Sequence, residues 1–301
     1  NERTPDIILV SMYMDAVSLI VARLLSDHKP KIIINGSAHF SSLIKNSENK
    51  VIRFLLKPLA KIFYPLADFF ICQSIGLKND VEDVLKLSPL KLSTIYNATL
   101  EKNVDYSTPK NLSHQWFQAS SSNSFKLIIA GRLDAQKGIV EFIDIFKKLK
   151  KNENIQLLIM GEGDEKQRIE EQIRINYLDN DVEIIPFQNN FHAFIERSDL
   201  MVVNSFYEGL NNMIVHALAT GTSVISRNCP SGPSEILEDG KFGRLVALGD
   251  DNGMIKMIKD EIRAPAFKKE DLIKRSKDFS TEACGEAYKK IFQKCVDQKN
   301  N

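Results

Sequence analysis

The chain has 301 residues, of which 40 are basic and 39 acidic, and 43% are hydrophobic. The length predicts two domains. The balanced charge excludes a bulk attraction to nucleic acid, and no apolar run is long and charge-free enough to span a bilayer. The opening N-E-R-T-P-D has neither the basic nor the apolar region of a signal peptide. Cys72, Cys229, Cys284 and Cys295 form no C-x-x-C pair, so they read as free thiols in a reducing compartment, with no zinc site.

Residues 6–11, D-I-I-L-V-S, form a near-continuous apolar run, the pattern of a strand covered on both faces. A helical stretch over 16–26 follows, then strands over 31–35, 69–74 and 92–97. Strands alternating with helices predict a parallel sheet. Residues 50–64, K-V-I-R-F-L-L-K-P-L-A-K-I-F-Y, read as an amphipathic helix that Pro58 kinks or divides. Lys50, Arg53, Lys57 and Lys61 form one basic stripe on it. That pattern fits a solvated core helix, but the width of the apolar part favours contact with anionic lipid. Between 102 and 124 polar, turn-rich sequence replaces the alternation, as expected of an interdomain segment. From Phe125 five more strands are predicted, F-K-L-I-I-A, I-Q-L-L-I-M, V-E-I-I-P-F, D-L-M-V-V-N and T-S-V-I-S, which make a complete Rossmann-like half. Ser280 is placed to cap a last helix carrying Ala283, Ala287, Tyr288, Ile291 and Phe292 at helical spacing. The first half is short for a doubly wound domain, so it is expected to be partial or reduced.

The stretch 199–226 organises the second half. An apolar strand leads into the turn S-F-Y-E-G-L-N-N, then into a helix stopped by Gly221. A helix that starts at the end of a parallel strand aims N–H groups and about half a positive charge at the ligand crevice. Glu208 and Gly209 add a carboxylate and bare backbone to the same space. Residues 130–138, A-G-R-L-D-A-Q-K-G, follow another strand; Gly131 permits a sharp turn, and Arg132 and Lys137 bring two cations to that sheet edge. The turn M-G-E-G-D with Gly161 is weak by itself. Phe187 ends the next strand, where the residue type alone reads as core packing. In the first half, Gly36, Ser37 and His39 leave a strand end toward the expected cleft. Residues 229–235, C-P-S-G-P-S-E, form a rigid turn that shapes the ligand pocket. No Ser-His-Asp arrangement and no H-E-x-x-H is visible.

Together these motifs resemble the nucleotide-sugar site of retaining glycosyltransferases of family 4. The resemblance implies an α/β GT-B fold, two Rossmann-like domains whose parallel sheets face a cleft. It implies an acceptor-side domain over 1–105, apparently incomplete, a nucleotide-sugar domain over 106–280, and a helix over 281–301 crossing back. Arg132 and Lys137, in the family's G-R-x-x-x-x-K-G pattern, would hold the donor diphosphate, with Glu208 as the third catalytic residue. Gly131, Gly161 and Phe187 would border the nucleotide, Phe187 against the base. Gly209, Leu210, Asn211, Asn212 and Met213 would hold the sugar, and Gly36 and His39 would stand on the acceptor side. The family carries a second Glu where this chain has His216. A carboxylate accepts two hydrogen bonds from the ribose diol, whereas a neutral imidazole accepts one and donates one. Nucleotide binding is therefore expected to weaken by about 1–2 kcal/mol. The implied reaction moves a hexose or N-acetylhexosamine, from a UDP-linked donor, to a surface glycan or lipid-linked acceptor with retention of configuration. It needs no cofactor and no metal, because two cations and a helix start can offset the charge of the leaving diphosphate. The implied location is cytoplasmic, peripheral on the inner membrane. A non-catalytic nucleotide-sugar-binding relative, and a GT-B epimerase or phosphorylase, remain open as alternatives.

Overall fold

The computed structural model describes residues 4–11, 13–47, 49–50, 52–102, 106, 112, 114–117 and 123–297. Most of the interdomain segment expected over 102–124, with the boundary at 105, lies outside the described residues.

The chain forms two parallel sheets. The first contains β1 (Ile7–Val10), β2 (Lys31–Gly36), β3 (Phe69–Cys72) and β4 (Leu92–Thr94), paired in that order. The second contains β5 (Phe125–Ala130), β6 (Ile155–Met160), β7 (Val182–Ile185), β8 (Leu200–Val203), β9 (Ser223–Arg227) and β10 (Arg244–Val246). Its order is β10-β9-β8-β5-β6-β7, parallel throughout. The nine strands read from the sequence are present; the three-residue β10 is too short to announce itself by pattern. The continuous apolar runs follow from two-sided cover, since Ile32, Ile33 and Ile34 of β2 and all of β8 are buried. This is the GT-B α/β architecture: two Rossmann-like sheets across a cleft.

The second sheet reverses direction between β5 and β8. The chain runs from β5 outward to β6 and β7, then returns to β8 on the other side of β5 and continues to β9 and β10. Loops leaving the carboxyl ends of β5 and β8 therefore diverge to opposite faces and leave a crevice between them.

The helices obey their own periodicities. Helix Ile139–Lys150 buries Ile139, Phe142, Ile143, Phe146 and Leu149, a three–four spacing, while Lys147, Lys148 and Lys150 end it near its negative pole. Helix Asn212–Thr220 stops at Gly221, which adopts φ 77°, and the Thr222 N–H returns to the Ala217 carbonyl at 2.9 Å. The basic segment differs from a simple helix. Ile52–Leu56 is a π-helical turn, and an α-helix, Lys57–Phe63, begins where Pro58 has no N–H to give to the preceding turn. Lys50, Arg53, Lys57 and Lys61 are all exposed, while Leu56, Ala60 and Tyr64 face the first core.

Two links join the sheets. Residues 95–100 cross from β4, with Ile95 in the first domain's core and Leu100 in the second's. The last helix, Thr281–Asp297, starts with the Ala283 N–H on Ser280 Oγ at 3.3 Å. It then lays Cys284, Ile291 and Cys295 against Ile33, Phe69, Ile71 and Ile95 of the first domain. The four cysteines are free and buried.

Candidate active site

At the reversal, the loop after β5 and the turn after β8 are stitched together. The Phe206 N–H donates to the Gln136 carbonyl at 2.9 Å, and Gln136 Nε2 donates to the Tyr207 carbonyl at 2.6 Å. Gly138 adopts φ 60°, and any side chain there would stand 2.6 Å from the Asn204 carbonyl. Only glycine lets these two loops approach so closely.

This stitching buries a charge pair. Lys137 Nζ lies 2.7 Å from Glu208 Oε1, and Glu208 is only 5% exposed. Asn211 Nδ2 donates to the same oxygen at 2.8 Å, and Gln136 Nε2 reaches Oε2 at 3.3 Å. Three donors thus hold one carboxylate, the condition under which a buried pair is tolerated. Asn211 also takes the left-handed conformation, φ 76° and ψ 81°, and caps the helix through Ile214 N–H to Oδ1 at 3.3 Å. One asparagine therefore fixes both the carboxylate and the helix start.

A cavity of about 330 Å³ opens in front of this constellation. Lys137 and residues 208–213 form its wall on the second domain, while Ser37, Gln73 and Asn97 form the wall on the first. The first amides of helix Asn212–Thr220, which lack intrahelical partners by geometry, lie at this wall. The site can receive an anion beside one side-chain cation and a helix start, with a carboxylate fixed alongside.

Arg132 stands apart from the pair. Its side chain is 75% exposed and bridges Asp134 at 3.1 Å. It shares a narrow crevice with Lys137 and Asn211, and with Gly131, Gly161 and Phe187 it borders a second hollow of about 260 Å³. Phe187 is 46% exposed, so it is not a core side chain; its ring lies 5.1 Å from that of Phe191. Leu210 is buried in the second core, so what it can offer the cavity is backbone.

His216 lies one turn farther along the helix and is not among the walls of the 330 Å³ cavity. Its Nδ1 is 3.0 Å from Nε2 of His192, and its ring packs among Phe191, His192 and Tyr106. Burial pushes its pKa down to about 4, so it is neutral near pH 7. On the first domain, Gly36 is buried against Phe70 and Tyr13, and its neighbour Ser37 meets the cavity. His39 caps helix Phe40–Asn46 by accepting the Ser42 N–H, with Asp80 3.5 Å away. Burial lowers its pKa in spite of Asp80.

Sequence reasoning passed over Gln73, Asn97, Gln136 and His192. Gln73 follows β3 directly, and Asn97 lies three residues past β4. In a parallel sheet both therefore leave the ligand edge, a signal that was readable. Gln136 and His192 act through contacts between distant segments and carried no local signal.

Residues 113–279, more than half the chain, match the family described as Glycosyl transferases group 1. A Campylobacter jejuni protein named as a 4-alpha-N-acetylgalactosaminyltransferase acting on a diphospho-undecaprenol-linked sugar is 27% identical over 254 residues. An uncharacterized glycosyltransferase of Methanocaldococcus jannaschii is 33% identical over 178 residues. The matches cover 83% and 59% of this chain but only 66% and 44% of those two proteins. Among solved structures, the lipopolysaccharide outer core galactosyltransferase WaaB superposes with a TM-score of 0.72 at 19% identity, over 99% of this chain and 76% of that one. Anabaena Alr3699/HepE in complex with UDP gives 0.77 at 17% identity, over 96% and 79%. No helix among the described residues is long and apolar enough to cross a membrane.

Proposed function

We propose that this chain, which belongs to the glycosyl transferases group 1 family, moves a hexose or N-acetylhexosamine from a UDP-sugar to a lipid-linked or surface-glycan acceptor with retention of configuration. The observation that carries the reading is the buried Lys137–Glu208 pair at a helix start, at the point where the sheet order reverses. The donor diphosphate carries about two negative charges, and its departure adds roughly one more. Lys137, Arg132 and the start of helix Asn212–Thr220 supply opposing charge, so the reading includes no metal. Glu208, held by three donors, keeps Lys137 in place and offers its remaining lone pairs to a sugar hydroxyl. The acceptor oxygen forms its bond to the anomeric carbon on the face from which the diphosphate leaves. As the carbon–oxygen bond to phosphate breaks, the acceptor proton passes to a departing phosphate oxygen. Relatives whose names specify lipid-linked and lipopolysaccharide acceptors support that acceptor class.

An acceptor on a lipid places the enzyme at a membrane surface. The exposed Phe54, Leu55 and Ile62, beside Lys50, Arg53, Lys57 and Lys61, form an amphipathic surface that anionic headgroups and their acyl boundary would match. Sedimentation with phosphatidylglycerol vesicles tests this: the chain pellets with them, and Phe54→Ser with Ile62→Ser stays in the supernatant.

One observation favours a second reading, a nucleotide-sugar binder without turnover: a nitrogen of His216 is already engaged by His192. Incubation with a panel of UDP-sugars and a polyprenyl-diphosphate-linked sugar separates the two. Transfer gives an acceptor heavier by one sugar, with an anomeric proton coupling that matches the donor. Bound UDP with neither product nor UDP release selects the non-catalytic reading, and free epimerised sugar selects an epimerase.

A further inference from the structure

We propose that Glu235 is a positioning residue that latches the two domains shut, and that the loop 229–235 transmits the state of the donor turn to that latch. Its catalytic consequence rests on the transferase reading; the latch itself does not.

Helix Ile75–Leu85 of the first domain opens toward the second domain. Its Ser74 cap takes the Leu77 N–H at 3.1 Å. The two amides before it, Ile75 and Gly76, donate to Oε2 and Oε1 of Glu235 at 2.7 and 2.9 Å. A carboxylate 160 residues away in sequence thus satisfies N–H groups that the helix itself leaves unpaired. Burial, and then the charge of the same carboxylate, raise the pKa of Tyr96 in the segment crossing between domains. Behind it, Arg275 fixes the backbone, donating to the Glu235 carbonyl at 2.6 Å and the Ile236 carbonyl at 2.9 Å.

The contact is close as well as charged. A Cβ on Gly76 would stand 2.7 Å from Cβ and 2.8 Å from Cα of Ser231. A Cβ on Gly209 would stand 2.1 Å from the Ser37 carbonyl. The domains therefore meet backbone to backbone on both sides of the loop, and neither approach survives a larger residue. The loop also touches the donor turn: Ser231 Oγ donates to the Glu208 carbonyl at 2.7 Å, and Gly232 packs on the Leu210 carbonyl. It is wedged between residues 208–210 and the first domain's helix. A shift of the donor turn on binding would reach Glu235 through two direct contacts.

Opening such a cleft exchanges the two N–H···carboxylate hydrogen bonds for bonds to water, which makes the latch reversible. Closing it brings Ser37, Gln73 and Asn97 to the cavity, so the latch sets the distance between acceptor and donor. A misplacement of about 1 Å can cost about 100-fold in rate.

The test is small-angle scattering of the full chain, with and without UDP, on wild type, Glu235→Gln and Gly76→Ala. Glu235→Gln keeps the shape but turns one acceptor into a donor facing an N–H. Gly76→Ala leaves Glu235 intact and favours the helix, so opening in that variant cannot be ascribed to a weakened helix. Both variants should show a larger radius of gyration than wild type, and both should retain UDP binding. With a UDP-sugar and a lipid-linked acceptor, kcat should fall about 100-fold with little change in the donor KM. Wild-type scattering in Glu235→Gln overturns the latch, whatever Gly76→Ala shows. Failure of the wild type to bind UDP or transfer sugar would sink the transferase reading and leave the scattering result standing.

Discussion

The two walls of the cleft are built from the same kind of sheet but differ in charge. The second domain brings Lys137, Glu208 and a helix start to the cavity; the first brings Ser37, Gln73 and Asn97, all uncharged. Strand order explains the difference. In the second sheet the chain reverses between β5 and β8, which opens a crevice whose two loops can pair across it. The described strands of the first sheet are in sequence order, with no reversal to open such a crevice. Charged ligand chemistry gathers where topology makes room for it, and the facing wall supplies shape and neutral hydrogen bonds.

Removing Lys137 should break this contrast most severely. Lys137→Ala leaves the Glu208 carboxylate buried without its cation, which is expected to cost about 3–5 kcal/mol of stability in urea unfolding. Transfer should fall roughly 100- to 1,000-fold. Arg132→Ala is the control from the solvent side of the same site. Its side chain is largely exposed, so UDP affinity and turnover should fall while stability changes by no more than about 0.5 kcal/mol. Equal stability loss in the two variants would contradict the buried pair.

Acid should come next, again through the second domain. His216 titrates at about 4 in the folded chain because burial disfavours its charge, against 6.5 in the unfolded chain. The unfolded state then binds more protons between those values. Stability is full above about pH 6.5 and declines as pH falls toward 4, by about 3 kcal/mol at most. His216→Phe should shrink the decline over that interval; an unaltered pH profile would show that His216 is not the buried, neutral group described.

The smallest effect on the reaction belongs to the first domain. His39→Ala removes the cap of helix Phe40–Asn46 and should cost about 1 kcal/mol, with UDP affinity unchanged. A large drop in UDP affinity would place His39 in the donor site and erase the contrast between the walls.

Much was legible in the residues themselves. Buried parallel strands need apolar residues on both faces, so nine of the ten described strands could be read as runs of Ile, Leu, Val and Phe. The Gly221 stop, the Ser280 cap and the turns carrying Lys137 and Glu208 follow from local backbone chemistry, which a sequence states directly. What needed the tertiary structure was every contact between segments far apart in the chain. The sequence placed Arg132 and Lys137 as equals, but packing buries one on Glu208 and leaves the other in solvent. It offered His216 to a ribose but gave no sign of His192, which the fold sets against it. It gave Glu235 no partner at all, because the amides it caps belong to a helix that sequence spacing cannot bring near. Periodicity and turn chemistry are local and survive in one dimension; charge pairing, burial and domain contact are set by which surfaces meet, and only the folded chain decides that.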